Sequence, residues 1–138
     1  MFTLNLVTPE KRIVQDSEID EVIVPAFRGQ LDILPGHAPL MTTLGAGSLK
    51  YKLKGAANYE TVVVGWGYAQ VNPTGVVILA ETAEMLAEID RARAEAAKKK
   101  AEADLLEPIL QPDQIEKIQH HLAVENARLE ATSSDTSH

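Results

Sequence analysis

The sequence contains no cysteine among its 138 residues. This absence excludes a disulfide scaffold, a thiolate metal site and a cysteine nucleophile. Basic residues are in the minority, since 13 Lys and Arg stand against 20 Asp and Glu and the net charge is -7. Nucleic-acid phosphates require a surplus of positive charge on one face, so this balance argues against a nucleic-acid partner.

Long apolar runs are also missing from the sequence. No stretch approaches the roughly 20 apolar residues that are needed to span a bilayer. Residues 1–14 lack the basic leader and the apolar run that mark a secretory signal. We therefore expect no direct membrane insertion, and any work at a membrane would depend on partner proteins.

Glycine and aromatic residues are confined to the first part of the chain. Every glycine lies between residues 29 and 75, and every aromatic residue lies between residues 2 and 68. In this part short apolar alternations, such as Val22 with Val24, are separated by Gly, Pro and Asn, a pattern typical of the strands of a sandwich or barrel. From about Glu84 the sequence is rich in the strong helix formers Ala, Glu, Lys, Leu and Arg. We predict a β domain at 1–83 and a helical domain at 84–138.

The helical part is predicted to be a hairpin, because Pro108 and Pro112 cannot lie inside one continuous helix. Asp113 is a candidate cap for the second helix, and Glu116 follows three residues later in a variant of the capping box. Apolar residues then recur at helical spacing, and the polar tail from about Thr132 is expected to fray.

The hairpin is expected to be only marginally stable. Its first helix offers mainly alanines, which permit close approach but release little apolar surface from water. The cost of ordering the second helix exceeds what its few large aliphatic residues supply. Two readings follow: a hairpin that exchanges partners, or a permanently docked helical pair.

No arrangement of side chains predicts catalysis or a metal site. His37 lies in a rigid Pro-Gly-His turn without a nucleophile nearby in sequence. His120 and His121 are adjacent on a helix and diverge by about 100 degrees, so we predict an exposed face rather than a shared metal. We expect no enzymatic activity.

Charged clusters in the second part have simple structural interpretations. We interpret the run Lys98 to Lys100 as a solvated helix face, and a docking surface is the alternative interpretation. Glu81, Glu84 and Glu88 read as first-turn charges that the helix dipole favours.

Three segments together resemble one known family. They are GQLDILPGHAPL at residues 29–40, VVILAETAE at 76–84 and LNLVTPEKRI at 4–13. In this order they are similar to the epsilon subunits of bacterial F-type ATP synthases, and the resemblance covers nearly the whole chain. It implies a β sandwich or flattened barrel of about ten short strands, followed by an antiparallel hairpin of two helices.

The resemblance also implies a function. Members of the family are non-catalytic rotor subunits of the proton-translocating synthase. They couple the catalytic head, through the gamma subunit, to the c-ring, and their helices inhibit ATP hydrolysis at the alpha and beta subunits. The protein is then peripheral to the cytoplasmic face of the bacterial inner membrane. The residues implied to contact gamma and the c-ring are Gln30, Leu31, Asp32, Leu34, His37 and Met41.

Two departures from the family pattern bear on the structure. Asp32 stands where the family usually has glycine, and we expect the turn to survive because Asp tolerates a left-handed backbone. Trp66 replaces the first of two glycines, which affects the local packing of that strand.

A second motif implies a regulatory ATP site, although no cofactor is required. IDRARA at residues 89–94 fits the family pattern Ile/Leu-Asp-x-x-Arg-Ala. By resemblance Glu84, Ile89, Asp90 and Ala94 match the adenine side, and Arg93 and Arg128 match phosphate-side arginines. Two further arginines of strong binders fall on Lys100 and Val124, so we expect weak binding. The alternative is an Asp90–Arg93 pair on the helix surface.

Two other functions stay open on the sequence alone. A stand-alone nucleotide sensor would bind ATP as an isolated monomer. A generic β-sandwich interaction module would have helices that no partner needs.

Overall fold

The computed structural model describes the backbone of residues 1–136 and the side chains of residues 1–132. Seven strands precede two helices. The strands are β1 (Thr3–Val7), β2 (Arg12–Ala26), β3 (Gly29–Ile33), β4 (Leu40–Leu44), β5 (Gly47–Leu53), β6 (Glu60–Asn72) and β7 (Gly75–Met85). A 3-10 turn at Leu86–Glu88 leads to α1 (Arg91–Asp104), and α2 is Pro112–Thr136. Within residues 1–136 there is no helix of sufficient length and apolar character to cross a membrane.

The strands form a closed β sandwich around one apolar core. β1 pairs in parallel with β7 and antiparallel with β2, which closes the sheet order β1-β7-β6-β4-β2-β3. β5 bridges β2 and β6. Alternate residues of each strand point inward, and Leu4, Leu6, Val22, Val24, Ile33, Val62, Val64 and Ile78 are completely buried. The predicted sandwich followed by two helices is confirmed, but the prediction of about ten strands is wrong.

The structure has fewer strands than predicted because a single long strand can pair in both layers of the sandwich. β6 pairs with β5 up to Val64 and with β4 from Gly67 onward. The change occurs at Trp66, whose φ is 56°, followed by Gly67 at φ 137°. Glycine inside a strand often marks a tight bend, and here the positive φ angles turn the strand without ending it, because its pairing with β7 continues in register. A sequence reading that breaks strands at Gly and Asn counts such a strand twice.

Trp66 adopts a left-handed conformation that is uncommon for a bulky residue. Its indole lies against the imidazole of His120 on α2, with ring centroids 3.7 Å apart and planes at 73°. His120 is therefore partly buried, which corrects its predicted position on an exposed face, whereas the side chain of His121 is 56% exposed. The departure from glycine at position 66 creates a contact between sandwich and helix.

α2 docks on β5 and β6, and its contact with β6 is made through small side chains. Val124 lies directly over Gly65, where an added Cβ would come within 2.9 Å of its Cγ2 atom. Ala127 and Ala131 pack with Val63 in a separate small apolar cluster. α1 packs against α2 and buries only Ala94 and Ala101. Alanine permits close approach but removes little apolar surface from water, so this interface contributes modestly to stability.

The helix start differs from the sequence prediction. Gln111, and not Asp113, stands just before the first turn of α2, and its backbone N–H donates to the side-chain Oε1 of Gln114 at 2.8 Å. Pro112 occupies the first helical position, where its missing N–H costs no hydrogen bond. α2 continues to Thr136, past the point at which fraying was expected.

The last strand also runs further than the sequence suggests. β7 extends to Met85, two residues beyond the predicted domain limit. Glu81 and Glu84 therefore lie in a strand and not in the first turn of a helix, and Glu88 lies in the 3-10 turn. The strand continues because its last residues pair with Val62 and Val63 of β6. The division into two domains stays a prediction.

The bend in β6 predicts a sharp difference between two glycine substitutions. A Cβ at Gly67 would lie 2.0 Å from the backbone oxygen of Leu79 and would meet a positive φ. We expect Gly67→Ala to lower the free energy of unfolding by roughly 2–4 kcal/mol. Gly45→Ala is the control, because nothing lies within 4 Å of its added Cβ. Urea unfolding followed by circular dichroism measures both, and equal stabilities would contradict this role of the bend.

Candidate functional site

The hairpin and the end of β7 enclose a charged cleft of about 870 Å³. One wall is the link into α1 together with the inner face of that helix, and the other is α2. The lining residues are Glu84, Glu88, Ile89, Asp90, Arg93, Ala94, Ala97, Lys100, Ala101, Asp104, Lys117, Ile118, His121, Glu125 and Arg128. The cleft exists because α2 docks on β6 while α1 packs on α2.

All six residues predicted for an ATP site line this cleft. Glu84 comes from β7, Ile89 and Asp90 precede α1, Arg93 and Ala94 lie in its first turn, and Arg128 comes from α2. Residues up to 44 positions apart are thereby brought together. Whether a ligand binds there stays a prediction.

Asp90 has a structural role at the edge of the cleft. Its carboxylate accepts a hydrogen bond from the backbone N–H of Arg93 at 3.1 Å, which caps α1. Among the described ion pairs there is none between the side chains of Asp90 and Arg93, so the alternative surface pair is not formed. The guanidinium of Arg93 remains exposed at the cleft.

Arg128 is held by two carboxylates. Its Nε donates to Glu84 Oε1 at 2.5 Å, and its Nη1 donates to Glu125 Oε1. Burial alone would lower the pKa of Arg128, but the hydrogen bond to Glu125 and the charge of Glu84 outweigh it, and the pKa is raised. The guanidinium is thus permanently charged and links β7 to α2.

Positions 100 and 124, which align with further arginines of strong ATP binders, differ in whether their side chains line the cleft. Lys100 lines the cleft and supplies a point charge there. Val124 does not line the cleft, because it is 8% exposed and packs on Gly65. A side chain at position 124 is directed into the contact with the sheet, so a longer residue there would meet Gly65 before it reached the cleft.

Sequence reasoning missed four cleft residues on α2, namely Lys117, Ile118, His121 and Glu125. His121 Nε2 lies 3.9 Å from Glu125 Oε2. The spacing of Glu125 and Arg128 at i, i+3 is the one sequence signal that could have indicated their pairing. Which other residues of α2 face the cleft could be assigned only once the docking of this helix on the sandwich was known.

A second candidate region is the segment predicted to contact gamma and the c-ring. Gln30, Leu31 and Asp32 lie in β3, Leu34 and His37 in the following turn, and Met41 in β4. Leu34 is 52% and Met41 63% exposed. His37 is a turn residue whose Nδ1 lies 2.8 Å from the carbonyl oxygen of Ala38. Exposed large apolar side chains in neighbouring segments favour contact with a partner.

Phe27 belongs to the same surface region but was not predicted. It lies in the turn between β2 and β3, and its side chain is 78% exposed. Its backbone N–H donates to the carbonyl oxygen of Thr43, which fixes the turn beside β4. Phe27 is one of only two phenylalanines in the sequence, but its exposure could be known only from the structure.

Asp32 lies in extended β3, so the left-handed turn expected for it does not occur. Its carboxyl group shares a hydrogen bond with Glu21, which raises the pKa of Asp32. The phenol of Tyr59 donates to Glu21 and, with Asp32, lowers the pKa of that glutamate. The same bond raises the pKa of Tyr59. Within this acid pair the pKa of Asp32 is therefore the raised one and the pKa of Glu21 the lowered one.

Asp32→Asn is predicted to change the pH dependence of stability. An acid whose pKa is raised by folding stabilises the protein at low pH, and this contribution is lost as the pH rises through the raised value. The variant should therefore unfold at a higher temperature than wild type at neutral pH, and the difference should vanish well below the ordinary value of 3.8. Thermal unfolding across pH measures this.

The control is Glu10→Gln, on an exposed turn. A pH-independent effect of Asp32→Asn, or an equal effect of the control, would show that the acid pair is not responsible.

Comparison with protein families gives a match to the β-sandwich domain of the ATP synthase delta/epsilon chain over residues 1–86. An ATP synthase epsilon chain of Bdellovibrio bacteriovorus is 44% identical over 128 residues, which cover 93% of this chain and 91% of that protein. One of Dehalococcoides mccartyi is 49% identical over 102 residues, covering 74% and 71%. The first of these alignments includes both the sandwich and the helical hairpin.

Solved structures support the fold independently. A chain of the Euglena gracilis mitochondrial ATP synthase, in a structure of its OSCP, F1 and c-ring, superposes with a TM-score of 0.81 at 21% identity. The match covers 99% of this chain and 81% of that one. A chain from the central stalk and c-ring of the Tetrahymena thermophila enzyme gives a TM-score of 0.61 at 16% identity, covering 95% and 96%.

Proposed function

The chain belongs to the family of ATP synthase epsilon chains, and on this premise we propose that it is a non-catalytic rotor subunit of a bacterial ATP synthase. The observation that carries the proposal is the 44% identity over 93% of the chain, which includes both the sandwich and the helices. We further propose a position on the cytoplasmic face of the inner membrane, where the subunit is held by its partners.

The sandwich is proposed to couple gamma to the c-ring. The exposed side chains of Phe27, Leu34 and Met41 supply apolar surface beside the polar Gln30 and Asp32. Such a mixed surface is typical of the contacts within an assembly. A closed sandwich deforms little when it transmits rotation from gamma to the c-ring, because close-packed cores are hardly compressible.

The hairpin is proposed to inhibit ATP hydrolysis at the alpha and beta subunits. Its contact with the sandwich consists mainly of Val124, Ala127 and Ala131. An interface of such small side chains can separate at low cost in free energy. At the tip of the hairpin Leu106 is 84% and Ile109 83% exposed, which provides apolar surface for a partner.

A pull-down from native membranes tests membership of the complex. The tagged full chain should recover the alpha, beta and gamma subunits together with the c-ring. A chain that binds ATP as a monomer and recovers none of these subunits would instead favour the stand-alone sensor. Recovery that is identical with and without the helices would leave the sandwich as the only interaction module.

Removal of the hairpin separates coupling from inhibition. A chain that ends before Ile89 keeps all seven strands, so it should fold and support ATP synthesis. ATP hydrolysis by the isolated catalytic complex should rise several-fold, because the inhibitory helices are absent. A chain that ends at residue 132 is the control and should hydrolyse ATP like wild type. Unchanged hydrolysis in the shorter chain would remove the inhibitory role.

ATP as a weak regulatory ligand of the cleft is a second proposal, favoured by the convergence of all six predicted residues. With Glu84 and Glu125 already paired to Arg128, we expect a dissociation constant in the high micromolar range or above, about -5.5 kcal/mol or less favourable. Arg93→Ala should abolish binding, whereas Arg28→Ala, outside the cleft, should not. Titration calorimetry measures both, and binding that survives Arg93→Ala would place the nucleotide elsewhere.

A further inference from the structure

Glu125 is the only charged residue that is buried among residues 1–132, with 2% of its surface exposed. A buried carboxylate is costly unless a charged or hydrogen-bonding group is paired with it. Its Oε1 accepts from Arg128, and its Oε2 lies 3.9 Å from Nε2 of the exposed His121. Neither the packing of the sandwich nor the proposed inhibition of ATP hydrolysis requires a buried carboxylate at position 125.

The position of Glu125 matters because of what it does to Arg128. The guanidinium already binds Glu84 of β7 on one side and Glu125 on the other. A phosphate approaching from the cleft would have to displace a carboxylate or lie beside two negative charges. If Glu125 were displaced, its carboxylate would remain buried with only His121 near it, which is unfavourable.

We propose that Glu125 serves as a built-in anion for Arg128, which keeps the hairpin docked without a ligand and weakens the binding of phosphate groups in the cleft. The part that concerns phosphate rests on the proposed nucleotide function of the cleft. The part that concerns docking does not, because the Arg128–Glu84 pair joins α2 to β7 by itself, and Glu125, one turn from Arg128 on α2, holds that guanidinium in place.

The proposal predicts that Glu125→Gln makes the hairpin dependent on a ligand. Glutamine keeps the shape of the side chain but removes its charge. The ligand-free hairpin should spend more time undocked, because without the Glu125 carboxylate the guanidinium of Arg128 is no longer held in position for its charge-assisted bond to Glu84 across the interface. ATP and inorganic pyrophosphate should each bind about ten-fold more tightly than to wild type, the factor expected for one charge-assisted hydrogen bond. Either ligand should then restore docking.

Trp66 provides the reporter of docking in the full-length chain. It is the only tryptophan, and its ring contacts His120 of α2. Undocking exposes the indole, so acrylamide quenching of its fluorescence should increase and its emission should shift to the red. Quenching with and without each ligand measures docking, and titration calorimetry measures affinity. Glu130→Gln, an exposed glutamate on the same helix, is the matched control.

The outcomes separate the two parts of the proposal. Quenching and affinities in Glu125→Gln that equal those of Glu130→Gln overturn it. Increased quenching in Glu125→Gln, with no binding of ATP or pyrophosphate by any variant, supports the role of Glu125 in docking, which we call the clamp. The proposed nucleotide function of the cleft is then wrong. Tighter binding with unchanged quenching supports competition at Arg128 and overturns the clamp.

A second variant tests the clamp if Glu125→Gln disturbs folding. Arg128→Lys keeps the positive charge but cannot reach both carboxylates with a planar guanidinium. Its quenching should be at least that of Glu125→Gln, because it also weakens the bond to Glu84. The double variant should show no further increase over Arg128→Lys, because Glu125 acts only through Arg128. Additive increases in quenching would show that the two residues act separately, which overturns the clamp.

Discussion

The bend of β6 at Gly65–Trp66–Gly67 is the constraint on which the rest of the structure depends. It allows one strand to leave β5 and pair with β4, which closes the sandwich. The same bend presents Gly65 and Trp66 to α2. Because α1 reaches the sandwich mainly through α2, the cleft between hairpin and β7 also depends on this contact. A local backbone conformation thereby determines both the fold of one domain and the placement of the other.

Much of this fold could be predicted from the sequence. Alternating apolar residues in the first part and the prolines at 108 and 112 were enough to predict a sandwich and a hairpin. The number of strands could not be predicted, because it depends on whether the backbone at Trp66 bends or breaks. The extent of β7 was equally inaccessible, since Glu84 is a good residue for a first helical turn and only pairing with β6 holds it in a strand.

The candidate cleft shows a similar division. Six of its residues could be named from a family motif, but their convergence depends on how α2 is rotated about its axis. Adjacent helical positions differ by about 100 degrees, so a change of one position exchanges buried and cleft-facing side chains. Val124 and Glu125 illustrate this, since the first faces Gly65 and the second faces Arg128. Helical periodicity alone could not distinguish them, because docking on Gly65 determines the rotation.

The balance of forces at the hairpin gives the charged cluster an importance that it would lack in a larger interface. On α2 the apolar contact is made by one valine and two buried alanines, with the Trp66–His120 contact beside them, so its contribution is small compared with that of a full helical core. A ligand at a hundred times its dissociation constant would stabilise the docked form by about 2.7 kcal/mol. A charge-assisted hydrogen bond contributes roughly 1.5–3 kcal/mol. The two magnitudes are comparable, so the Arg128–Glu84 bond across the interface, with Arg128 held in place by the neighbouring Glu125, can take the part of a bound nucleotide in keeping the hairpin on the sandwich.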